Sequence, residues 1–234
     1  MTEAQRAPTT RGAPIAAQAI PIAPTPAGYR LAKRALDVGL SSVGLLLSSP
    51  VMLAIATAVR IQSHGPILFR QERAGLGGRL FTLYKFRSMH AAADQEAHRR
   101  YVQRLIRPDG RAETSDSTWI PIESDPRITG VGGFLRRSHL DELPQLFNVL
   151  RGDMSVVGPR PPIPYEVELY EPWHLRRLSV VPGLTGLWQV RGWGQLSFDE
   201  GVALDLEYVD TRSFGGDLRI IGRTLWQILT GRQF

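Results

Sequence analysis

The sequence predicts an α+β fold that is mainly helical, with an N-terminal membrane segment followed by a globular domain that contains short strands. Two observations support this class. Residues 38–59 form an uncharged apolar run near the start of the chain. The rest alternates segments of helical periodicity with two strand-like segments around a glycine-rich turn. The length of 234 residues suits one domain of ordinary size.

Residues 1–28 are rich in Ala, Pro and Thr and lack the apolar centre of a signal peptide. Such a segment buries too little apolar surface to fold by itself. The hydrophobic fraction of the whole chain is 43%, which is that of a globular protein. We therefore expect a disordered, solvated tail only in this first part of the chain.

The apolar run has about the 20 residues that a helix needs to cross a bilayer. Basic residues flank it on both sides, whereas a spanning helix is normally basic at its cytoplasmic end only. Pro50, at its centre, lacks an N–H and leaves the carbonyl of Leu46 without its helical partner. The hydroxyl groups of Ser48 and Ser49 can satisfy such freed groups.

Three interpretations of this segment follow. It is a buried core helix, a spanning helix with a proline kink, or a re-entrant helix over residues 29–62. The re-entrant helix breaks at Ser49 and Pro50 and leaves the membrane on the side that it entered. The residues alone favour the two membrane interpretations, because core helices are usually shorter and more amphipathic, and they leave those two open.

A globular domain is expected over residues 63–234. Segments 66–73 and 80–89 are predicted strands on either side of a glycine-rich turn. Helical stretches are predicted at residues 92–106, 132–137, 141–150 and 218–228, with a polar loop at 107–123 and a Pro-rich loop at 159–164. The last helix carries Arg219 and Arg223 beside apolar residues, which suits either a packed helix or one lying on an anionic membrane surface.

The net charge of +6 favours anionic partners: nucleic acid, a membrane surface or phosphorylated substrates. The absence of cysteine excludes disulfides, thiolate metal sites and a thiol nucleophile. The sequence contains no Walker loop, no dinucleotide fingerprint and no histidine pair with metal-ligand spacing. A membrane-anchored basic protein that binds nucleic acid or phosphate is the alternative function, although no spaced basic and aromatic reading surface supports it.

The adjacent carboxylates of Asp141 and Glu142 are the first candidates for chemistry. Such pairs are common at solvated helix starts, where they complement the helix dipole. Here the pair lies between Arg136 and an apolar stretch in which Pro144 is tolerated only in a first helical turn. A carboxylate can attack phosphorus to form an acyl phosphate, and its neighbour can hold Mg²⁺. One nucleophile and one metal ligand form a minimal site for phosphoryl transfer.

Four basic residues are candidates for binding substrate phosphate. Lys85 and Arg87 alternate on a predicted strand and are expected to point to one side. Arg136 precedes the acidic pair by just over one helical turn, and Arg160 stands between prolines. Singly, each is typical of a surface charge; together they suit a substrate with two phosphates.

A series of segments resembles the bacterial sugar transferase family, the monotopic phosphoglycosyl transferases. The similarity extends from about residue 33 to the end of the chain and rests on the order of the segments. They are the apolar run with Ser49-Pro50 and residues 33–37, 65–75, 81–89, 125–137, 140–161, 182–190 and 196–200.

The resemblance implies a reaction in two steps. Asp141 attacks the β-phosphorus of a UDP-sugar and releases UMP, and polyprenyl (undecaprenyl) phosphate then accepts the sugar-1-phosphate. Glu142 is implied in binding Mg²⁺. Lys85 and Arg136 match family positions near the acidic pair, and Arg160 matches a Pro-Arg-Pro loop that contacts nucleotide or phosphate.

The resemblance also implies a location. It favours the re-entrant membrane helix broken at Ser49-Pro50, with a cytosolic catalytic domain over residues 63–234. That domain lies on the cytoplasmic face of the bacterial inner membrane, with membrane lipid and no nucleic acid as partners. The expected role is the first membrane step of exopolysaccharide or glycoconjugate assembly. His139, in place of a small polar residue, and residues 191–194 depart from the family pattern and bear on sugar selectivity and membrane seating.

Overall fold

A computed structural model describes residues 20–90, 99, 106, 125, 127–192 and 196–230. The predicted helix 92–106 and the predicted loop 107–123 lie outside the described residues, except for Arg99 and Ile106, which are both helical. The predicted tail lies outside them up to residue 19. The described part is mainly helical with a few short strands, as the sequence predicts.

The described helices and strands follow one another as eleven elements. They are α1 (Ala27–Gln62), β1 (Leu68–Ala74), β2 (Leu80–Phe86), α2 (Gly130–Ser138), α3 (Gln145–Arg151), β3 (Ser155–Val157), α4 (Pro164–Val167), β4 (Gly183–Thr185), α5 (Leu187–Gly192), α6 (Phe198–Thr211) and α7 (Phe214–Thr230). β1 and β2 form an antiparallel hairpin, and β3 and β4 form a parallel pair. Short 3₁₀ segments lie at Leu76–Gly78, Leu140–Glu142 and His174–Ser179.

Helix α1 continues through Ser49 and Pro50 without interruption. The predicted helix–break–helix pattern is therefore wrong for the secondary structure of this segment. The Ser49 hydroxyl donates a hydrogen bond of 2.8 Å to the carbonyl of Leu46. Pro50 leaves that carbonyl without its helical N–H partner, and the Ser49 hydroxyl replaces the missing donor. The helix therefore continues through Pro50.

The first half of α1 binds the globular domain through polar side chains spaced four residues apart. The buried carboxylate of Asp217 in α7 accepts hydrogen bonds from Tyr29 at 2.9 Å and Lys33 at 3.0 Å. One turn further, the Asp37 carboxylate accepts from the Ser155 hydroxyl at 3.0 Å. It also accepts from a main-chain N–H of β3 at 2.9 Å. This spacing places the three α1 residues on one face, so α1 is fixed to both α7 and β3.

The second half of α1 packs through apolar side chains, since Ile55 and Val59 are buried against Phe86 of β2 and Leu135 of α2. The other face of α1 leaves large apolar side chains exposed: Leu31, Val43, Leu46, Leu47, Leu53 and Ile61. Only 11% of its most apolar 18-residue window is buried, which argues against the core-helix interpretation. By length and composition α1 is long and apolar enough to cross a membrane.

The hairpin carries the predicted strands around the predicted turn, with Phe69 opposite Lys85. Gly77 and Gly78 have φ angles of 64° and 79°, a region that glycine adopts at low cost. Beyond the hairpin, β3 and the last three helices share a second core of Val157, Val190, Tyr208 and Ile220.

The terminal helix α7 contains the predicted helix 218–228. One face packs, since Asp217 and Ile220 are buried, and the other face exposes Leu225, Trp226 and Leu229.

Residues 20–26, which are predicted to belong to a disordered tail, bind the domain. The main-chain N–H of Ala23 donates to the carbonyl of Ser179 at 3.0 Å. Arg212 also donates to the carbonyl of Pro24 at 2.7 Å. The prediction of disorder is therefore wrong for residues 20–26, because main-chain groups of this segment form hydrogen bonds with the domain.

We predict that Asp37→Ala destabilises the protein by about 2–4 kcal/mol, because two buried donors lose their acceptor. In detergent, this corresponds to a fall in melting temperature of about 5–10 °C. The matched control is Asp210→Ala, which removes an exposed ion pair with Arg176 and is expected to shift it by less than about 2 °C. Equal melting temperatures for both variants would show that the bonds to Asp37 do not hold α1 in place.

Candidate active site

The Asp141-Glu142 pair lies on the 3₁₀ turn Leu140–Glu142, between α2 and α3. The chain reverses at His139, whose φ of 54° lies in the left-handed region that favours glycine. The carbonyl of His139 accepts a hydrogen bond of 3.1 Å from the N–H of Glu142. The turn therefore starts with a residue held in an unusual conformation directly before the acidic pair.

The sequence predicts that the acidic pair stands at the start of one helical stretch over residues 141–150. The structure instead separates a 3₁₀ turn from α3. Pro144 has no N–H and makes no helical bond to the carbonyl of Leu140, which accepts from Leu143 at 3.4 Å. Because bonds here span three residues, the chain is tighter than an α-helix and the pair precedes α3.

Asn148 fixes α3 against the hairpin. This fully buried side chain donates to the carbonyl of Thr82 at 2.7 Å and accepts from the N–H of Tyr84 at 3.2 Å. Both main-chain groups belong to β2, which also carries Lys85. The amide of Asn148 therefore sets the position of Lys85 relative to the 3₁₀ turn.

Lys85 forms an ion pair with Glu142, with its ammonium nitrogen 2.6 Å from Oε1. Both side chains are about one-fifth exposed, at 18% and 22%. Burial opposes ionisation of Glu142, but Lys85 and Arg160 outweigh it and lower the pKa of that carboxyl to about 2. Glu142 is therefore an anion at neutral pH.

Asp141 is the more buried of the two carboxylates, with 8% of its surface exposed. Burial raises its pKa; Lys85 and Arg136 oppose that rise, and the negative charge of Glu142 adds to it. A carboxylate with little hydration and a raised pKa is a better nucleophile than an exposed one. The two adjacent acids thus have opposite pKa shifts and suit different roles.

Arg136 lies on α2 and is held by its Nε, which donates to the Ser88 hydroxyl at 3.0 Å. Burial lowers the pKa of Arg136, and attraction to Asp141 opposes that change. The structure therefore brings Arg136 near Asp141, although the two residues lie in separate elements on either side of the reversal at His139.

Arg160 reaches the site from the loop between β3 and α4. Its charge acts on Glu142, and with Lys85, Gln145 and Arg73 it lines a small cavity of about 10 Å³. Sequence reasoning assigned no role to Arg73 or Gln145. Arg73 is 7% exposed, and Glu142 and Arg160 are among the charges that act on it.

Arg87 binds the turn after α1, and its expected role in the phosphate site beside Lys85 stays a prediction. Its guanidinium donates to the carbonyls of Ser63 at 2.7 Å and His64 at 3.1 Å, in the turn that follows α1. Its main-chain N–H donates to the carbonyl of Ile67 at 2.9 Å, so the pairing of the hairpin continues one residue beyond Phe86. Arg87 therefore closes the end of α1 against the hairpin.

Of the residues that the sequence did not assign to the site, Asn148 had a detectable signal and Arg73 had none. Asn148 is a polar residue inside the apolar stretch LFNVL, which is typical of a buried amide that binds main-chain groups. Arg73 is the last charge before the glycine-rich turn, in a strand that already carries Arg70 and Glu72, and nothing in that pattern marks it as buried.

The carboxylates match the way in which proteins bind Mg²⁺. Among the described residues no group of three or more His, Asp or Glu side chains converges on a metal position. Mg²⁺ usually keeps several waters and binds one or two carboxylates together with substrate phosphates. Glu142, whose pKa is lowered, is therefore the carboxylate that could hold a Mg²⁺ in this way.

Most of the chain is similar to known proteins. The model of a family described as bacterial sugar transferase matches residues 28–231. The chain is 42% identical over 204 residues to the galactosyl transferase CpsE of Streptococcus agalactiae, covering 87% of this chain and 43% of that protein. It is 40% identical over 202 residues to the exopolysaccharide production protein ExoY of Rhizobium meliloti, covering 86% and 87%.

A third relative is the UDP-glucose:undecaprenyl-phosphate glucose-1-phosphate transferase of Escherichia coli. It is 38% identical over 218 residues, covering 89% of this chain and 43% of that protein. The chain thus spans less than half of two of these relatives and most of ExoY. The match over most of the chain confirms the resemblance seen in its motifs, and we conclude that the chain belongs to the bacterial sugar transferase family.

Proposed function

We propose that the chain transfers a sugar-1-phosphate from a UDP-sugar to undecaprenyl phosphate and releases UMP, which begins the assembly of an exopolysaccharide or another glycoconjugate. The observation that carries the proposal is the buried Asp141 carboxylate beside the Lys85–Glu142 ion pair. The names of the relatives support the substrates, since one names UDP-glucose and undecaprenyl phosphate and another names exopolysaccharide production.

The proposed chemistry has two displacements at one phosphorus. A carboxylate oxygen of Asp141 attacks the β-phosphorus of the donor, the bond from that phosphorus to the bridging oxygen breaks, and UMP leaves with that oxygen. An oxygen of undecaprenyl phosphate then attacks the phosphorus of the aspartyl phosphosugar. This breaks the acyl-phosphate bond and restores the Asp141 carboxylate. Both attacking groups are anions, so no proton has to be removed from either and the two displacements need no general base.

The neighbouring residues have separate roles in this proposal. Arg136 and Lys85 stabilise charge on the phosphoryl oxygens, and Arg160 binds a phosphate of the donor. Lys85 also keeps Glu142 ionised for Mg²⁺. Glu142 would hold Mg²⁺, which when bound would supply neutralisation of charge on the diphosphate. UMP release that is insensitive to EDTA would exclude this metal role.

We further propose that α1 enters and leaves the membrane on the cytoplasmic side as one continuous helix that bends at Pro50, rather than as two helices around a break. Tyr29 and Lys33 near its start bind α7, and Val59 near its end packs on β2 and α2. A helix across a hydrocarbon layer of about 30 Å would carry one of these ends away from the domain. Contacts at both ends, with an apolar face left exposed between them, support a helix that is embedded from one side.

The proposed reaction predicts that Asp141→Asn lowers UMP release by at least about 1,000-fold, because the amide cannot act as nucleophile. The assay incubates purified protein with Mg²⁺, undecaprenyl phosphate and a panel of UDP-sugars. Asp210→Asn, at an exposed carboxylate, is the matched control and retains activity. Release of UDP in place of UMP, or full activity of Asp141→Asn, would contradict the proposed mechanism.

The proposed topology predicts that single cysteines at Arg30 and His64 react with an impermeant maleimide from the same side. Both side chains are exposed, and the chain has no native cysteine, so each label reports one position. We expect labelling in inside-out vesicles and none in right-side-out vesicles. Labelling of the two positions from opposite sides would establish a spanning helix instead.

A further inference from the structure

The loop that carries Arg160 cannot stabilise itself. Residues 159–162 contain three prolines, which have no N–H to donate, so Arg160 supplies the only main-chain donor among the four. Their carbonyls nevertheless have to find partners where the loop is buried. The position of Arg160 therefore depends on donors from outside the loop.

The structure supplies one outside donor for each of the four carbonyls. Two are main-chain N–H groups: Gly183 donates to Pro159 at 2.8 Å, and Ala74 donates to Pro162 at 2.9 Å. The two carbonyls between them accept from arginine side chains. Arg177 donates to the carbonyl of Arg160 at 3.2 Å, and Arg73 donates to that of Pro161 at 2.9 Å.

Arg73 is well placed to hold the loop. It stands at the end of β1, is 7% exposed, and donates through its other terminal nitrogen to Gln71 at 2.7 Å. The next residue, Ala74, provides the main-chain bond to Pro162. The guanidinium is planar and rigid, so two simultaneous bonds fix the direction of each. A lysine at this position would keep the positive charge but would lack the two donor nitrogens in one plane.

Arg177, the second arginine that binds the loop, is itself fixed by other side chains. Arg177 is 3% exposed, pairs with the buried carboxylate of Asp205, and donates to the Tyr170 hydroxyl at 3.0 Å. The carbonyl of Arg160 is thus bound to a guanidinium whose other bonds leave it little freedom. Arg73 and Arg177 hold two consecutive carbonyls of the loop.

The burial and the existing bonds of Arg73 indicate positioning rather than direct substrate binding. Its side chain is 7% exposed, and both of its terminal nitrogens already donate, one to Pro161 and the other to Gln71. Burial lowers the pKa of Arg73 to about 10, and repulsion from Arg160 contributes. Both arginines line the same small cavity, Arg73 donates to the loop at Pro161, and the charge of Arg160 acts on Glu142.

We propose that Arg73 is a positioning residue of the donor site: by holding the carbonyl of Pro161 it orients the Arg160 guanidinium toward the donor phosphate beside Glu142. This inference rests on the proposed function for the identity of the donor. It assigns Arg73 no contact with the reacting atoms. The effect of Arg73 on donor binding therefore passes through Arg160.

The test is a double-mutant cycle on UMP affinity, measured by calorimetry with the detergent-solubilised full chain. Arg73→Lys in the native background is expected to weaken UMP binding by about 10- to 100-fold. In the Arg160→Ala background the same change is expected to weaken it by less than about twofold, because the group that it orients is gone. A purely structural role would give equal factors in both backgrounds.

Arg212→Lys is the control for loss of an arginine fork, since Arg212 also donates to main-chain carbonyls, at residues 23 and 24. It is expected to leave UMP affinity unchanged. Equal factors in the two backgrounds, unchanged affinity in Arg73→Lys, or no UMP binding by the native chain would each overturn the inference. If the native chain binds UMP and the cycle is non-additive, but no UDP-sugar yields UMP, the positioning role stands and the proposed reaction fails.

Discussion

The Lys85–Glu142 ion pair is the interaction on which the site depends, because it joins the hairpin to the turn that carries both acids. At 2.6 Å and about one-fifth exposure it is neither a surface pair nor fully desolvated. Without Lys85, two adjacent carboxylates in a buried turn would repel each other, and one would take up a proton. With it, Glu142 stays ionised while Asp141 remains buried. The Asn148 amide makes this arrangement stable by fixing β2 to α3.

The same fold uses arginine side chains to join segments that have few partners of their own. The carbonyls that accept from arginines lie at the end of α3, in the Pro-rich loop, in the turn after α1 and in the N-terminal segment; the donors are Arg34, Arg73, Arg177, Arg87 and Arg212. A guanidinium suits this use because it offers several donors in one plane. Part of the basic charge that suggested anionic partners therefore belongs to arginines that bind carbonyls within the protein. Charge count alone overstates the size of the anion-binding surface.

Much of the fold was readable from the sequence because its signals are local. The hairpin follows from apolar alternation around a glycine-rich turn, and α7 from apolar residues at helical spacing. The continuity of α1 was not readable, since it depends on a single hydroxyl of Ser49 reaching the carbonyl of Leu46. Likewise, the burial of Arg73 and the contacts of Arg87 depend on segments that are distant in the sequence. Asp141, Glu142, Lys85, Arg136 and Arg160 were found together because motif order, rather than periodicity, marks them.

The most direct test of the central claim, that the buried Asp141 carboxylate becomes covalently linked to the phosphosugar, is mass spectrometry of the protein after brief incubation with a UDP-sugar and Mg²⁺ and no acceptor. The account predicts one added phosphosugar on the peptide that contains Asp141, lost when undecaprenyl phosphate is added. Release of UMP with acceptor present, but no adduct on Asp141 in its absence, would contradict it.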